Sequence, residues 1–159
     1  MDGEFVKWAI ACGGWLMAVL LALLGYLERR ANQQSELLLK TVAYFEGKTQ
    51  KRSVGIALVE GLLNKNPKHR DVLVPLLTNQ FVYLLLHPDV TESVHEERNL
   101  IRIYNLLTDT PNLKQAHYHS WCEIADAIGR RSGGERSGIT ITEPTLNQWR
   151  KNLGIPKEE

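Results

Sequence analysis

The chain has 159 residues, with 19 basic and 18 acidic side chains and a formal net charge of +1. That balance excludes the strong basic footprint of a typical nucleic-acid binder, and two cysteines exclude a disulfide-stapled scaffold. The length leaves room for one domain with a modest core beside an anchoring segment.

The first predicted element is an uncharged run from Trp8 to Leu27, bounded by Lys7 and by Glu28-Arg29-Arg30. A helix over that run covers roughly 30 Å, the hydrocarbon thickness of a bilayer. Trp8 and Tyr26 sit near its ends, where interfacial aromatics belong, and Trp15 lies within it. The run is too long for a signal-peptide core, and Leu27-Glu28-Arg29-Arg30 offers no small-residue cleavage site. The sequence therefore predicts a retained transmembrane helix over 8–27, after a short extracytoplasmic stretch, 1–7. Lys7 is the one basic residue before the run, whereas Arg29, Arg30, Lys40, Lys48, Lys51 and Arg52 follow it. The positive-inside rule then places the N-terminus outside and the rest in the cytoplasm, on a plasma membrane. Ala9/Gly13 and Gly14/Ala18/Ala22 recur at four-residue spacing, which admits close pairing with a second copy or with another membrane helix.

Beyond residue 27 the chain keeps 18 of the 19 basic residues and 16 of the 18 acidic ones, and the periodicity is helical nearly throughout. A compact cytoplasmic helical bundle is expected over 28–129. Leu37, Leu38, Val42 and Phe45 form a first stripe, which the anchor either continues into or meets at a hinge. Val54, Ala57, Leu58, Gly61 and Leu62 form a second, ended by Asn64-Lys65-Asn66-Pro67. A third carries Val72, Leu73, Leu76, Leu77, Phe81, Leu84 and Leu85, with Val82, Tyr83 and Leu86 off the stripe. So wide an apolar circumference predicts the central helix, with Pro75 either kinking it or opening a fresh one.

Ser93-x-x-Glu96 is a capping box opening a fourth helix, with Leu100, Ile101, Tyr104 and Leu107 inward. Thr110-Pro111 pairs an N-cap with an N1 proline and predicts a fifth, facing inward with Leu113, His117, Trp121, Ile124, Ala125 and Ile128. Residues 130–142 read as a Gly/Arg-rich connector, with Ile139–Thr142 a short strand or simply extended. Over 143–159, Thr142 or Glu143 caps a short amphipathic helix with Pro144 at its start, Leu146, Trp149 and Leu153 inward, and Gly154 as its stop.

Gly47–Leu58, a turn with basic residues followed by a small-then-Leu pattern, resembles the opening of the second helix of a HEAT/armadillo-type repeat, without a second copy at a fixed period. That resemblance implies a helical stack binding partners along a surface. Ile124-Ala125-x-x-Ile128-Gly129 with Pro144–Lys151 resembles a helix-turn-helix, which implies base or phosphate contacts by Asn147, Gln148, Arg150 and Lys151. The intervening Arg130–Thr142 departs from that family's three- or four-residue turn.

No catalytic signature stands out. His117-x-His119-x-x-Cys122 puts only His119 and Cys122 on one helical face, too few ligands for zinc, and His95-Glu96 lacks the second histidine of H-E-x-x-H. The glycine-rich loop lacks the P-loop lysine, and Cys122 has no evident activating base. No metal, cofactor or enzymatic activity is expected. The remaining signal is charge segregation. Lys48, Lys51, Arg52, Lys65, Lys68 and Arg70 form a basic block, and Asp71, Asp89, Glu92, Glu96 and Glu97 an acidic one, which suits a protein partner or anionic lipid. The sequence thus predicts a single-pass membrane-anchored adaptor or accessory subunit that binds another protein. A membrane-tethered nucleic-acid-binding or regulatory protein is the lesser reading.

Overall fold

The structure, a computed structural model, describes residues 20–29, 36–37, 39–45, 48–65, 67–88, 90, 93–134 and 138–156, with only the backbone at 65 and 67. The chain divides into two units, 1–40 and 41–159. In the first, residues 20–29 are helical, and Leu20, Leu21, Leu23, Leu24, Tyr26 and Leu27 are each between 50% and 66% exposed. Lys40 bonds Glu36 at 2.7 Å one turn away, which holds the Glu36 carboxyl below its ordinary value. Among the described residues no helix is long and apolar enough to cross a membrane, so the structure does not support the expected span over 8–27. Trp8, Gly13, Gly14, Trp15, Ala18 and Arg30 lie outside the described residues.

In the second unit every described element is helical. After helical residues 41–45 come α1 (Thr49–Lys65), a 3-10 turn (Pro67–His69), α2 (Arg70–Leu86), α3 (Val94–Thr108), α4 (Leu113–Ala116), α5 (Tyr118–Ser132) and α6 (Glu143–Leu153). The second unit is a compact helical bundle, as the periodicity predicts. α2 is its centre, packed mainly against α5 and α3, while α1 packs on α3 and α6 on α5. Leu73, Val74, Leu77, Thr78, Phe81 and Leu84 have no exposure at all. Pro75 sits inside α2 on an exposed position instead of opening a new helix. The carbonyl that loses its N–H partner belongs to Asp71, which is also exposed and can take water.

Three predicted faces are corrected. On α1 the inward set is Arg52, Gly55, Ile56, Val59 and Leu62, and Val54 is 47% exposed. The reason is a close approach: a Cβ on Gly55 would lie 3.1 Å from the Tyr44 Cβ and 3.6 Å from the Phe45 ring. On the preceding helical stretch Thr41 and Phe45 are buried while Val42 faces out. On α3, Ile103 replaces Ile101 beside Leu100, Tyr104 and Leu107. Val72 of α2 is likewise exposed.

Thr110 does not open a fifth helix. Its hydroxyl donates to the Leu106 carbonyl at 2.9 Å and closes α3 instead. The following chain turns through Asn112 in the left-handed region, φ 54°, a conformation asparagine tolerates. The predicted helix is then divided at His117, φ −132° and ψ 54°, into α4 and α5. The C-terminal helix follows its predicted pattern. Leu146 and Trp149 are buried, and Gly154 at φ 64° ends it with Gly154 N–H to Lys151 O and Ile155 N–H to Arg150 O, a Schellman pair.

Candidate interaction surface

The predicted basic and acidic blocks meet inside the protein. Arg52 of α1 is 8% exposed, Glu96 of α3 is 3% exposed, and the two form an ion pair. Glu96 also accepts from Asn99 Nδ2 at 3.1 Å, and Asn99 Oδ1 accepts from the Ser53 hydroxyl at 2.9 Å. Ser93 supplies half of the capping box, its hydroxyl accepting from Glu96 N–H at 3.1 Å. The other half is diverted, because the Glu96 carboxylate turns inward to Arg52 and Asn99. Farther along, Arg102 of α3 pairs with Glu60 of α1 where both are about two-fifths exposed. The buried Arg52–Glu96 pair, one residue from each block, and the half-exposed Arg102–Glu60 pair, from neither, thus fasten α1 to α3. Arg52 is therefore not a surface contact for lipid or partner.

The other predicted basic contacts do not form one patch. Lys48 and Lys51 are exposed at the start of α1; Lys68 is exposed and Arg70 half-buried beyond its end. A helix of 17 residues is about 25 Å long, so the two groups stand far apart. The Lys65 side chain lies outside the described residues.

The C-terminal module is docked. Trp149 stacks on Tyr104 at 4.5 Å between centroids with 14° between planes, and lies 5.6 Å from Phe81. That cluster joins α6 to α3 and α2. Burial pushes the Tyr104 phenol above its ordinary value, an effect the Asn152 side chain partly offsets. Trp121 of α5 is half-buried and donates from Nε1 to the Leu153 carbonyl at 3.0 Å. Of the predicted nucleic-acid contacts, Gln148 and Lys151 are exposed while Asn147 and Arg150 are half-buried. Gln148 donates to Asn152 at 2.7 Å.

The supposed connector is partly structural. Arg130–Ser132 form the last turn of α5. Ile139 is 2% exposed, and its carbonyl accepts from Arg131 at 2.7 Å. Ile139–Thr142 forms no strand: the chain bends at Ile139 and is extended at Thr142, φ −76° and ψ 147°. Gly138 N–H donates to the His87 carbonyl at 3.3 Å, and a Cβ there would fall 1.4 Å from the Val90 carbonyl oxygen. Only glycine fits.

That contact fixes the chain just after α2, where the candidate surface lies. Val82, Tyr83, Leu86, His87, Pro88 and Arg130 line a groove of about 310 Å³. Of the three apolar residues expected off the core stripe of α2, Val82 is half-buried and Tyr83 exposed, whereas Leu86 is 8% exposed and belongs to the core. Tyr83 is 38% exposed; its ring lies 4.7 Å from that of His87 and 5.5 Å from the Arg52 guanidinium. The sequence shows the apolar surplus on α2, but not that His87 and Arg130 converge on it from different helix ends.

Among the described residues no three His, Cys, Asp or Glu side chains come together to hold a metal ion. His119 is exposed, His117 half-buried, and Cys122 lies beside Tyr118, whose phenol the thiol pushes up by hydrogen bonding. Comparison with protein-family models, with curated proteins and with solved structures finds no match. The HEAT/armadillo and helix-turn-helix resemblances therefore rest on their residues alone.

Proposed function

We propose that this protein is a single-pass membrane-anchored adaptor or accessory subunit whose cytoplasmic helical domain binds another protein. One observation carries the anchor. The helix at 20–29 exposes Leu20, Leu21, Leu23, Leu24 and Leu27 along one side, with Ala22, Gly25 and Tyr26 exposed on the other, and in the sequence it follows an uncharged run that starts at Trp8. Water does not tolerate so continuous an apolar surface, whereas lipid does. The basic residues after the run, Arg29 among them, support a cytoplasmic side of the plasma membrane for the domain. Confinement there raises the effective concentration of whatever the domain holds. The four-residue spacing of small residues, with Ala22 exposed, supports pairing with another membrane helix or a second copy.

Alkaline extraction of membranes tests the anchor: the full-length chain is expected in the pellet and released only by detergent. Recovery in the supernatant refutes the proposal. Thiol labelling of Cys122 in intact cells tests orientation, with modification expected only after permeabilisation. A nucleic-acid reading would instead require binding that falls steeply with salt and with replacement of Lys151.

A further inference from the structure

α1 carries an outward face that the bundle does not use. Val54, Ala57 and Gly61 lie opposite the buried Arg52, Ile56 and Val59 on the helix. Val54 is 47% exposed, Ala57 and Gly61 are exposed, and Leu58 beside them is half-buried. The other exposed positions from 48 to 64 are Lys48, Gln50, Lys51 and Asn64, so the face holds two cations and no acid. Glu60, the one acid of α1, is paired with Arg102. The two lysines stand at the start of the helix, whose first turn has no acid. The helix dipole disfavours cations there, so their placement serves something other than the helix itself.

The tether brings this face to a surface. The helix of the first unit is described as far as Arg29, and the second unit begins at Thr41, twelve residues on. That stretch reaches no farther than about 43 Å at full extension. The chain then enters the second unit beside α1, where Tyr44 and Phe45 close on Gly55. Anionic phospholipid suits what the face offers: cations at one end of an uncharged strip of small and apolar side chains. A second copy on the same face would add two more lysines and no acid to meet them.

We propose that the outward face of α1 lies against an anionic leaflet of the membrane, Lys48 and Lys51 pairing with phospholipid headgroups and Val54 settling among them. This rests on the anchor reading and adds to it the side of the domain that is turned to lipid.

The full-length chain with Cys12→Ser, Cys122→Ser and Ala57→Cys, labelled at position 57 with a nitrobenzoxadiazole dye, tests the assignment. It is reconstituted into vesicles of phosphatidylcholine alone, or with about 30% phosphatidylserine, each holding a nitroxide-headgroup lipid as quencher. Blue-shifted, quenched emission is expected with phosphatidylserine and is largely lost without it or in high salt. Lys48→Gln/Lys51→Gln should lower the ratio of docked to free domain about thirtyfold, about fivefold for each lysine, and Val54→Asp should lower it further. A dye placed instead by Glu123→Cys on α5, which packs against α2 and α6, should stay unquenched throughout. Far-UV circular dichroism checks that each variant is folded.

No quenching at position 57, equal quenching at 57 and 123, or quenching indifferent to phosphatidylserine and to the lysines would each overturn the proposal. Joining of two Ala57→Cys chains by a bismaleimide in the phosphatidylserine vesicles would assign the face to a second copy and overturn it too. Flotation of the same vesicles separates these failures from that of the anchor. A chain that floats with the vesicles but is not quenched loses the docking alone; one left at the bottom of the gradient loses the anchor as well.

Discussion

Replacing Arg52 by methionine would leave the Glu96 carboxylate, 4% exposed at its side chain, with Asn99 and the α3 N-terminus but without its counter-ion. Removing one partner of a buried ion pair costs about 3–5 kcal/mol, because the remaining charge stays desolvated. The second unit spans residues 41–159, a size at which 1 kcal/mol corresponds to about 4 °C in Tm. Arg52→Met should therefore lower Tm by about 12–20 °C, and Glu96→Leu by a similar amount. The double variant Arg52→Met/Glu96→Leu places apolar groups of similar size opposite each other between α1 and α3. It should cost less than either single change, since neither charge is then stranded. Asn99 keeps its bonds to Ser53 and to the Thr49 carbonyl, so the polar cluster does not unravel. Thermal unfolding of the full chain in micelles, followed by circular dichroism and tryptophan fluorescence, measures all four corners of the cycle. If Arg52→Met lies within about 1 kcal/mol of wild type, or if the double variant costs the sum of the singles, the pair is not buried and coupled as described.

Three further outcomes follow from other parts of the fold. Gly138→Ala forces the Val90 carbonyl away and should cost at least the 1–3 kcal/mol typical of overpacking, whereas Gly61→Ala and Gly129→Ala, with open space at Cβ, should stabilise by roughly 0.5–1 kcal/mol; urea midpoints separate the two classes. Trp149→Ala removes a 5% exposed ring stacked on Tyr104 and should cost about 3–5 kcal/mol, with α6 amides losing hydrogen-exchange protection first. Because burial raises the Tyr104 phenol, folding favours its neutral form. That stability is complete below the ordinary tyrosine value of about 10 and is lost as pH rises through the higher folded value; Tyr104→Phe should flatten the decline of unfolding free energy above pH 10.

The candidate surface was legible only in part. Val82 and Tyr83 stand out as apolar residues with no place on the core stripe, whereas Leu86, expected with them, is buried in the core. Their convergence with His87 and Arg130 depends on how the end of α5 passes the end of α2, and no local rule reports that. Arg52 marks the opposite failure. In a row of cations it reads as one more surface charge, but its spacing to Ile56 and Val59 puts it on the inward face. The glycine at 138 reads as connector chemistry, yet a backbone contact with Val90 demands it.

Sequence by itself determined the helical class and the helix boundaries at Ser93 and Gly154. It also marked Leu73, Leu77, Phe81, Leu84 and Leu85 of α2 and Leu146 and Trp149 of α6 as inward, and the leucine-rich run that motivates the anchor. These depend on contacts three or four residues apart, on cap hydrogen bonds and on a left-handed stop, all local in the chain. Tertiary structure alone decided which face of α1 turns inward, where the fifth helix divides, and which charges vanish from the surface. Those outcomes are set by partners such as Arg52 and Glu96, 44 residues apart. At that separation the energy of a pairing depends on burial and geometry that only the packed bundle creates.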